Sequence, residues 1–298
     1  CRACGRAGGA DRAGAGVGVC GADGAHARWQ AAMLHFGEEP PLVGWGGSGT
    51  VFFSHCTLRC VFCQNWQISH RGDGRTGPCA SLAEAFLALQ DAGAENINLV
   101  TPTQYIYPII EALEAACARG LALPVVYNTN GYDSVALLRL LEGIVDVWLP
   151  DLKYMDPAHA ARYSGAADYP ETARAALAEM YRQSGPLRLD GDVAEGGVIV
   201  RHLVLPGDVA GSFAFLLWLA DAGMTGVTLS LMSQYSPQHR AAQYPEIARP
   251  VTPKEYYDVV AFAEKLGVEH LLLQEMGSRE VYLPDFERER PFADNPDR

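Results

Sequence analysis

A short apolar run followed at once by three closely spaced cysteines constrains this chain more than any other part of its sequence. Thr50 to Phe53 is β-branched and aromatic, which predicts a buried strand. The loop after it, which we call the cysteine loop (residues 54–65), carries Cys56, Cys60 and Cys63 in the spacing C-x3-C-x2-C. Four thiolates normally hold a cubane iron–sulfur cluster. Three would bind three irons and leave the fourth open, and an open metal position is typical of a site that does chemistry.

On the residues alone, other uses of these cysteines are open. A structural zinc site could combine the three thiols with His55 or His70, since zinc accepts three sulfurs and one imidazole. A four-cysteine electron carrier could take Cys20 or Cys4 as its fourth ligand. The cysteines could also be buried thiols in the core. None of these alternatives explains the strand before the loop or the aromatic Phe62 directly before the third cysteine.

The cysteine loop and its flanking residues resemble a known family. C-x3-C-x-aromatic-C at the end of a first strand resembles the radical S-adenosylmethionine (radical SAM) superfamily. The flanking stretches 47–53 (Gly-Ser-Gly-Thr-Val-Phe-Phe) and 63–69 (Cys-Gln-Asn-Trp-Gln-Ile-Ser) are similar to proteins related to pyruvate formate-lyase activating enzyme, the PflX type. The resemblance runs from residue 1 to at least residue 274. It implies a 4Fe–4S cluster on Cys56, Cys60 and Cys63, with Phe62 against whatever occupies the open iron.

The resemblance also implies a chemistry and a partner. The reduced cluster of such enzymes binds the amino and carboxylate groups of S-adenosylmethionine at its open iron. It passes one electron to the sulfonium, which releases methionine and a 5′-deoxyadenosyl radical that takes a hydrogen atom from the substrate. The protein holds cofactor and substrate in line and excludes water and oxygen. The electron is expected from a flavodoxin- or ferredoxin-like reductant.

Composition limits the other partners. The chain has 35 acidic and 23 basic residues and a net charge of −12, which disfavours a broad nucleic-acid interface. No apolar run approaches the length of a membrane span, and no signal peptide is recognised at the start. Eight cysteines, most of them in metal-like spacing, favour a reducing cytoplasm over a disulfide framework.

A second group of cysteines lies in the glycine- and alanine-rich start of the chain. Cys1 and Cys4 have the C-x2-C spacing of metal ligands, and Cys20 follows later. The resembled family usually carries four cysteines here, but this chain has Gly8 where the third is expected. A second metal site would therefore need an outside ligand, and the alternative is a loop with redundant thiols. We predict that this group is not needed to build the first cluster.

After the cysteine loop, predicted strands and helices alternate. Capping boxes at Ser81/Glu84 and Thr252/Glu255 mark two of the helix starts. The predicted strands cover residues 96–101, 124–129, 145–151, 198–205, 227–232 and 271–274. Six or seven βα repeats of this kind predict a parallel sheet with outer helices.

These repeats are compatible with two α/β arrangements, a doubly wound sheet and a partial barrel. The resemblance implies the second, the partial (β/α)6 barrel of radical SAM enzymes. We therefore predict an α/β fold of that barrel type with a short cysteine-rich N-terminal extension. The predicted parts are the extension at 1–45, with residues 29–48 packing on the barrel as a lead-in, the barrel core at 46–280 and a C-terminal tail at 281–298 that wraps or frays.

In barrels of this kind the chemistry sits at the carboxyl ends of the strands. Thr101 follows the second strand, where the superfamily often has Gly-Gly-Glu for the methionine amino group. Asn128 opens Asn-Thr-Asn-Gly, which resembles the Asp-Thr-Asn-Gly of activating enzymes. Asp151 and Lys153 form the Asp-x-Lys that in those enzymes lies by the methionine carboxylate, which a compact ammonium suits. Arg201, on the next strand, is the fifth candidate for cofactor binding.

Three functions are compatible with these residues. One is glycyl-radical activation of a partner enzyme, suggested by the likeness of strands three and four to activating enzymes. Another is radical modification of a different substrate, such as a peptide, an RNA base or a small metabolite. The third is an iron–sulfur electron-transfer or binding protein that does not cleave S-adenosylmethionine. A protein partner needs a wide barrel mouth, whereas a small substrate suits a mouth covered by residues 72–78 or 235–250.

Overall fold

The structure is a computed structural model and describes residues 2–10, 16–277, 283–288 and 290–292. Within these ranges no helix is long and apolar enough to cross a membrane. The strands are β1 (Arg28–His35), β2 (Ser48–Phe53), β3 (Arg75–Thr76), β4 (Ile97–Val100), β5 (Val125–Thr129), β6 (Val147–Pro150), β7 (Arg188–Asp190), β8 (Val193–Leu203), β9 (Thr228–Met232) and β10 (His270–Leu273). The helices are α1 (Pro40–Val43), α2 (Trp66–Ser69), α3 (Cys79–Asp91), α4 (Ile106–Cys117), α5 (Val135–Leu140), α6 (Pro157–Ser164), α7 (Tyr169–Ser184), α8 (Ser212–Asp221) and α9 (Pro253–Lys265).

These strands form one sheet in the order β10-β9-β8-β6-β5-β4-β2-β1-β3, with β7 paired to β8. From β2 to β10 every neighbouring pair along this order is parallel. β1, β3 and β7 pair antiparallel with their neighbours. The two end strands of the order, β10 and β3, are not paired with each other among the described residues. The predicted α/β fold is confirmed, and the unclosed parallel sheet fits a partial barrel.

Two large apolar clusters hold the helices on the sheet. One packs β5, β6, β8 and β9 against α5, α7, α8 and α9 and includes Trp148 and Phe215. The other packs β2 and β4 against α3 and α4 and includes Phe53 and Phe86. All four of these aromatic side chains are buried. A buried aromatic side chain contributes roughly 2–3 kcal/mol of transfer free energy, so the strands form a rigid support for the polar residues at their carboxyl ends.

The lead-in to the barrel is part of the sheet. β1 pairs antiparallel with β2, from Trp29 opposite Phe53 to His35 opposite Ser48. This pairing satisfies the backbone groups of β2 that would otherwise form an exposed sheet edge. The domain boundary at residue 45 stays a prediction, and the strand before it joins the same sheet as the barrel core.

Helix α9 begins at a capping box, as its sequence predicts. The N–H of Glu255 donates to the Thr252 hydroxyl at 3.2 Å, and the N–H of Thr252 donates to the Glu255 carboxylate at 2.8 Å. Glu255 also accepts the N–H of Gly207 at 2.8 Å, next to the end of β8. The cap therefore fixes α9 against the loop that follows β8.

The capping box predicted at Ser81 and Glu84 is wrong. Helix α3 already begins at Cys79, with Pro78 as its N-cap and no side-chain cap. The N–H of Ser81 donates to the Pro78 carbonyl at 2.9 Å, so the serine lies inside the first turn. Proline at the start presets the backbone angle φ that a helix requires, and the helix starts before the serine is reached.

Thr252→Ala should lower the free energy of unfolding by about 1 kcal/mol, because the N–H of Glu255 loses its side-chain acceptor. For a chain of this size that corresponds to a melting temperature about 2 °C lower. Ser81→Ala is the matched control and should leave stability nearly unchanged, because alanine is a good helix former. Differential scanning calorimetry of the two variants checks this, and equal losses in both would contradict the assignment of the cap.

Candidate active site

A cavity of about 210 Å³ lies at the carboxyl ends of the parallel strands. The cysteine loop forms part of its wall, and residues that follow β4, β5, β6 and β9 form much of the rest. The cavity is lined by every site residue predicted from the sequence: Cys56, Cys60, Phe62, Cys63, Thr101, Asn128, Asp151, Lys153 and Arg201. Parallel strands place their carboxyl ends at one edge, and this brings together residues that are far apart in the sequence.

Each thiol of the cysteine loop has a polar neighbour. Asn130 Nδ2 donates to Cys56 Sγ at 3.2 Å, Ser164 Oγ donates to Cys60 Sγ at 3.0 Å, and Ser69 Oγ lies 3.2 Å from Cys63 Sγ. Burial raises the pKa of Cys56 to about 11 and that of Cys63 to about 12. A thiolate at neutral pH in this position therefore needs the charge of a bound metal, as coordinating thiols generally do.

The zinc alternative joins the three thiols with a histidine. Across the described ranges, no three His, Cys, Asp or Glu side chains are placed to hold one metal ion. His70, a candidate fourth zinc ligand, has its Nδ1 2.9 Å from Ser69 Oγ, and its ring packs 4.7 Å from that of His239. A cubane cluster takes its thiolates at separate irons, so its sulfur ligands stand further apart than those of zinc.

Backbone strain marks two strand ends that border the cavity. His55, after β2, has φ 63°, and Thr101, after β4, has φ 59°. A β-branched residue in the left-handed region is rare, and such strain clusters at functional sites. The side-chain amide of Gln104 donates to the carbonyls of both residues, at 3.2 Å and 2.7 Å respectively. Gln104 therefore ties the two strained turns together beneath the cavity.

Arg201, on β8, is the centre of a buried charged network. Its guanidinium donates to Asp151 Oδ1 at 2.8 Å and to Asn128 Oδ1 at 2.6 Å, and lies 3.6 Å from Glu38. Lys153 Nζ is 2.6 Å from the other oxygen of Asp151. The charged side chains of the network are only 10% to 19% exposed. The predicted cofactor-binding residues at the ends of β5, β6 and β8 are thus joined directly.

The charges of this network keep each other ionised. Burial by itself would raise the pKa of Asp151, but the cations of Arg201 and Lys153 outweigh it and the pKa is lowered. Burial would lower the pKa of Lys153, but Asp151 and then Cys60 raise it. Arg201 likewise has a raised pKa, because Asp151 and the two glutamates Glu38 and Glu39 outweigh its burial. An ammonium and a carboxylate therefore stand side by side next to the cysteines.

Sequence reasoning missed the acidic pair Glu38 and Glu39, which line the cavity from the loop between β1 and α1. Glu39 is buried, and burial raises its pKa to about 7 against the opposing charge of Arg201. Glutamate in a loop is usually solvated. The one signal in the sequence is that two adjacent glutamates precede Pro40 and Pro41 in an otherwise apolar, glycine-rich stretch.

The described part of the C-terminal tail packs on β2 and lines the cavity at Phe292. Phe286 and Phe292 pack on Phe52 of β2, with ring centroids 5.3 Å and 5.5 Å away, and Phe292 also lies 4.3 Å from the ring of His35. Phe292 lines the cavity. The remaining tail residues, 278–282, 289 and 293–298, lie outside the described ranges.

Of the two loops predicted to cover the mouth, only one borders the cavity. Tyr235 and Ser236, at the start of residues 235–250, line it, and the ring of Tyr235 lies 5.6 Å from that of Phe62. Residues 72–78 do not line the cavity. Gly74 instead lies against Trp29 and Ser54, where any side chain would clash. That segment is held on β1 because the edge pairing of β3 draws it there.

Of the N-terminal cysteines, the two that the structure describes, Cys4 and Cys20, do not line the cavity. Cys4 is half-buried, and its backbone forms an isolated antiparallel β-bridge with that of Asp133, in the loop after β5. Cys20 is buried. Neither lines the cavity with the three thiols of the cysteine loop. Cys1 lies outside the described residues. The fourth-ligand role considered for Cys4 or Cys20 therefore has no support in the described geometry.

Comparison with known proteins identifies the family. Residues 50–208 match the Radical SAM superfamily, which is more than half of the chain. The chain is 30% identical over 250 residues to an uncharacterized protein of Methanocaldococcus jannaschii, covering 81% of this chain and 68% of that one. The chain therefore belongs to the radical SAM superfamily.

The chain is similar in fold to a solved structure. The FeFe-hydrogenase maturase HydG from Carboxydothermus hydrogenoformans is 11% identical, with a TM-score of 0.50, and the match covers 76% of this chain and 54% of that one. The chain thus spans about half the length of HydG. Methylornithine synthase (PylB) is 14% identical, with a TM-score of 0.45, over 81% of this chain and 73% of that chain.

Family membership settles the cofactors and the class of activity. The chain is a radical SAM enzyme, whose cofactors are a 4Fe–4S cluster and S-adenosylmethionine. Enzymes of this superfamily need a one-electron reductant. The predicted cofactors are confirmed, and the alternative of a carrier that does not use S-adenosylmethionine is not supported.

Proposed function

We propose that Cys56, Cys60 and Cys63 hold three irons of the cluster and leave the fourth for S-adenosylmethionine. The observation that carries this proposal is that all three thiols line the same cavity as the charged strand ends. Asn65 supports it, because its buried Oδ1 has no hydrogen-bond partner among the described residues and the side chain lines that cavity. A buried acceptor without a partner is unusual in a native protein and suits a bound ligand.

Asp151 and Lys153 are proposed to hold the methionine end of the cofactor. The Lys153 ammonium is a compact donor for its carboxylate, and Asp151 an acceptor for its amino group. Lys153 lies close enough to Cys60 for a negative charge on that sulfur to raise the pKa of the lysine. Thr101 and Asn128, on the neighbouring strand ends, complete the proposed cofactor wall together with Arg201, which holds Asn128 and Asp151 in place.

The aromatic wall of the cavity is proposed to keep water away from the reacting groups. Phe62 is buried between Tyr154 and Tyr235, with ring centroids 6.4 Å and 5.6 Å away. When bound, the cluster and S-adenosylmethionine supply a 5′-deoxyadenosyl radical that removes a hydrogen atom from the substrate. Exclusion of water and oxygen by packed side chains protects such chemistry from side reactions.

The substrate is proposed to be a small polar molecule. The cavity has a volume of about 210 Å³ and is lined in part by the aromatic residues Tyr235 and Phe292, which favours a small ligand over a loop of a partner protein. Glu38, Glu39 and Arg201 give its inner wall hydrogen-bonding groups that a polar substrate can use. These are the features of a small-molecule site, in which a few polar groups orient the ligand.

Activation of a glycyl-radical enzyme is the second candidate, and it is favoured by the motifs at two strand ends. Residues 128–131 (Asn-Thr-Asn-Gly) resemble the Asp-Thr-Asn-Gly of activating enzymes with Asn in place of Asp, and 151–153 (Asp-Leu-Lys) match their Asp-x-Lys. Gly131 has φ 78°, and a Cβ there would lie 2.3 Å from the Asp151 carbonyl. The glycine is thus required for the close approach of the ends of β5 and β6. A cytoplasmic location, with its reducing conditions, suits either function.

Cys60→Ala should abolish the oxygen-labile cluster, because one of its three thiolates is lost. Iron and acid-labile sulfide per chain after anaerobic reconstitution measure this. Cys4→Ala is the matched control at a half-buried thiol outside the cavity and should keep the full content. Stoichiometric zinc without sulfide in the unaltered protein, or cluster loss in the control, would overturn the ligand assignment.

Lys153→Ala should weaken binding of S-adenosylmethionine by about tenfold or more, since a charge-assisted hydrogen bond contributes roughly 1.5–3 kcal/mol. Its cluster content should stay unchanged. Anaerobic titration calorimetry measures the affinity, with the exposed Lys265→Ala as the control. If the variant binds S-adenosylmethionine as tightly as the control does, the proposed role of Lys153 in cofactor binding is wrong.

The small-substrate proposal is tested by fractionating a cell lysate by molecular mass. Without any added substrate, the reduced enzyme incubated with S-adenosylmethionine should release 5′-deoxyadenosine slowly. The low-mass filtrate should speed this release, and the protein fraction should not. Acceleration by the protein fraction alone would replace the small substrate with a protein partner. No cleavage under any condition would contradict the enzyme function itself.

A further inference from the structure

Three arginines surround the outer edge of the cysteine loop. Arg59 belongs to the loop, and Arg6 Nε donates to the carbonyl of Thr57 at 3.1 Å. The N–H of Arg240 donates to the carbonyl of Val61 at 2.8 Å. No carboxylate among the described residues forms an ion pair with any of these arginines. We call Arg6, Arg59 and Arg240 the arginine collar.

The nearby acidic side chains are engaged elsewhere. Asp73 and Glu287 both pair with Arg71. Glu246 pairs with Arg162 at 2.7 Å. The chain as a whole carries a net charge of −12, so an acidic protein is repelled by most of its surface. The collar places three arginine charges beside the loop that carries the three thiols.

A short series of side chains connects Cys63 with the collar. Cys63 Sγ is 3.2 Å from Ser69 Oγ, which is 2.9 Å from His70 Nδ1. The ring of His70 is 4.7 Å from that of His239, which is exposed and adjoins the collar in sequence. Burial, and then the nearby charges of His239 and the collar, lower the pKa of His70 to about 4. The thiol is thus only a few side chains from a cationic surface.

We propose that the arginine collar is the docking surface for an acidic one-electron donor protein. This inference rests on the proposed function of the cysteine loop as the holder of the cluster. The donor loses one electron and the cluster gains it, and no other bond is made or broken. Transient redox encounters bury less than about 1,200 Å², so such docking does not require a large apolar interface. Opposite charges raise the rate of such encounters and orient them.

Arg240→Glu tests the proposal, because the Arg240 side chain is exposed and bonds only to Gln243, at 3.3 Å, among the described residues. Arg188→Glu is the matched control. Arg188 is also exposed, and it lies on β7, which pairs with the amino-terminal half of β8 at the opposite edge of the sheet. Both variants change the net charge by the same amount. Arg240→Lys keeps the charge and serves as the rescue.

Calorimetric titration of the holoenzyme with flavodoxin, and separately with a plant-type ferredoxin, measures docking. At low salt, Arg240→Glu should bind each donor about five- to tenfold more weakly than the unaltered protein, because a charge at the interface is reversed. Arg240→Lys and Arg188→Glu should bind normally. At about 0.5 M salt the differences should fade, since the charges are then screened.

Reduced methyl viologen separates this inference from the proposed function, because it is a small cation that does not need the collar. It should reduce the cluster at the same rate in all variants, and the bleaching of the cluster absorbance measures that. If no form of the protein gains a reducible cluster, the proposed function is wrong. If methyl viologen reduces every form, yet Arg240→Glu binds the donors as tightly as Arg188→Glu or neither donor binds, the docking surface is overturned.

Discussion

Parallel pairing of the central strands is the constraint on which the site depends. A parallel sheet places the carboxyl ends of its strands at one edge, so each loop that leaves a strand there meets the others. The cysteine loop leaves β2, Thr101 leaves β4, and Asp151 leaves β6, all at the same cavity. The apolar clusters between the helices and the sheet hold the strands in place. Residues at the cavity edge can therefore be polar, because they are not needed for the core.

At that edge, Arg201 holds together polar side chains from several parts of the fold. It joins Asp151, Asn128 and Glu38, which lie on three separate elements. A buried ion pair adds little net stability, because desolvation offsets the attraction between its charges. Loss of one partner is costly, however, at about 3–5 kcal/mol, because the other charge stays buried and unpaired. The network therefore fixes the positions of its side chains more than it stabilises the fold, and fixed positions are what a cofactor site requires.

Much of this could be predicted from the sequence, because the signals were local. The cysteine spacing and the strand before it predict the cluster loop, and the alternation of elements predicts the α/β sheet. Local patterns failed where another local preference acted first, as at Ser81, which Pro78 placed inside a helix already begun. Local patterns also do not decide between the several uses of one residue type. Thr103 follows a strand just as Thr101 does, but its hydroxyl donates to the buried Asp133 at 2.7 Å.

The sequence by itself determined the type of chemistry, since thiol spacing and strand propensity depend on residues a few positions apart. Only the tertiary structure decided which distant residues meet. Asn128 and Glu38 are 90 positions apart, and Asn128 and Arg201 are 73 apart, yet all three form one network. Nothing local marks Glu38 as a cavity residue. β1 runs antiparallel to β2 with His35 opposite Ser48, so the loop that carries Glu38 begins at the amino end of β2, and tertiary contacts with Asn128 and Arg201 join it to the network. Such long-range contacts depend on strand order and register, which the packing of the whole core selects.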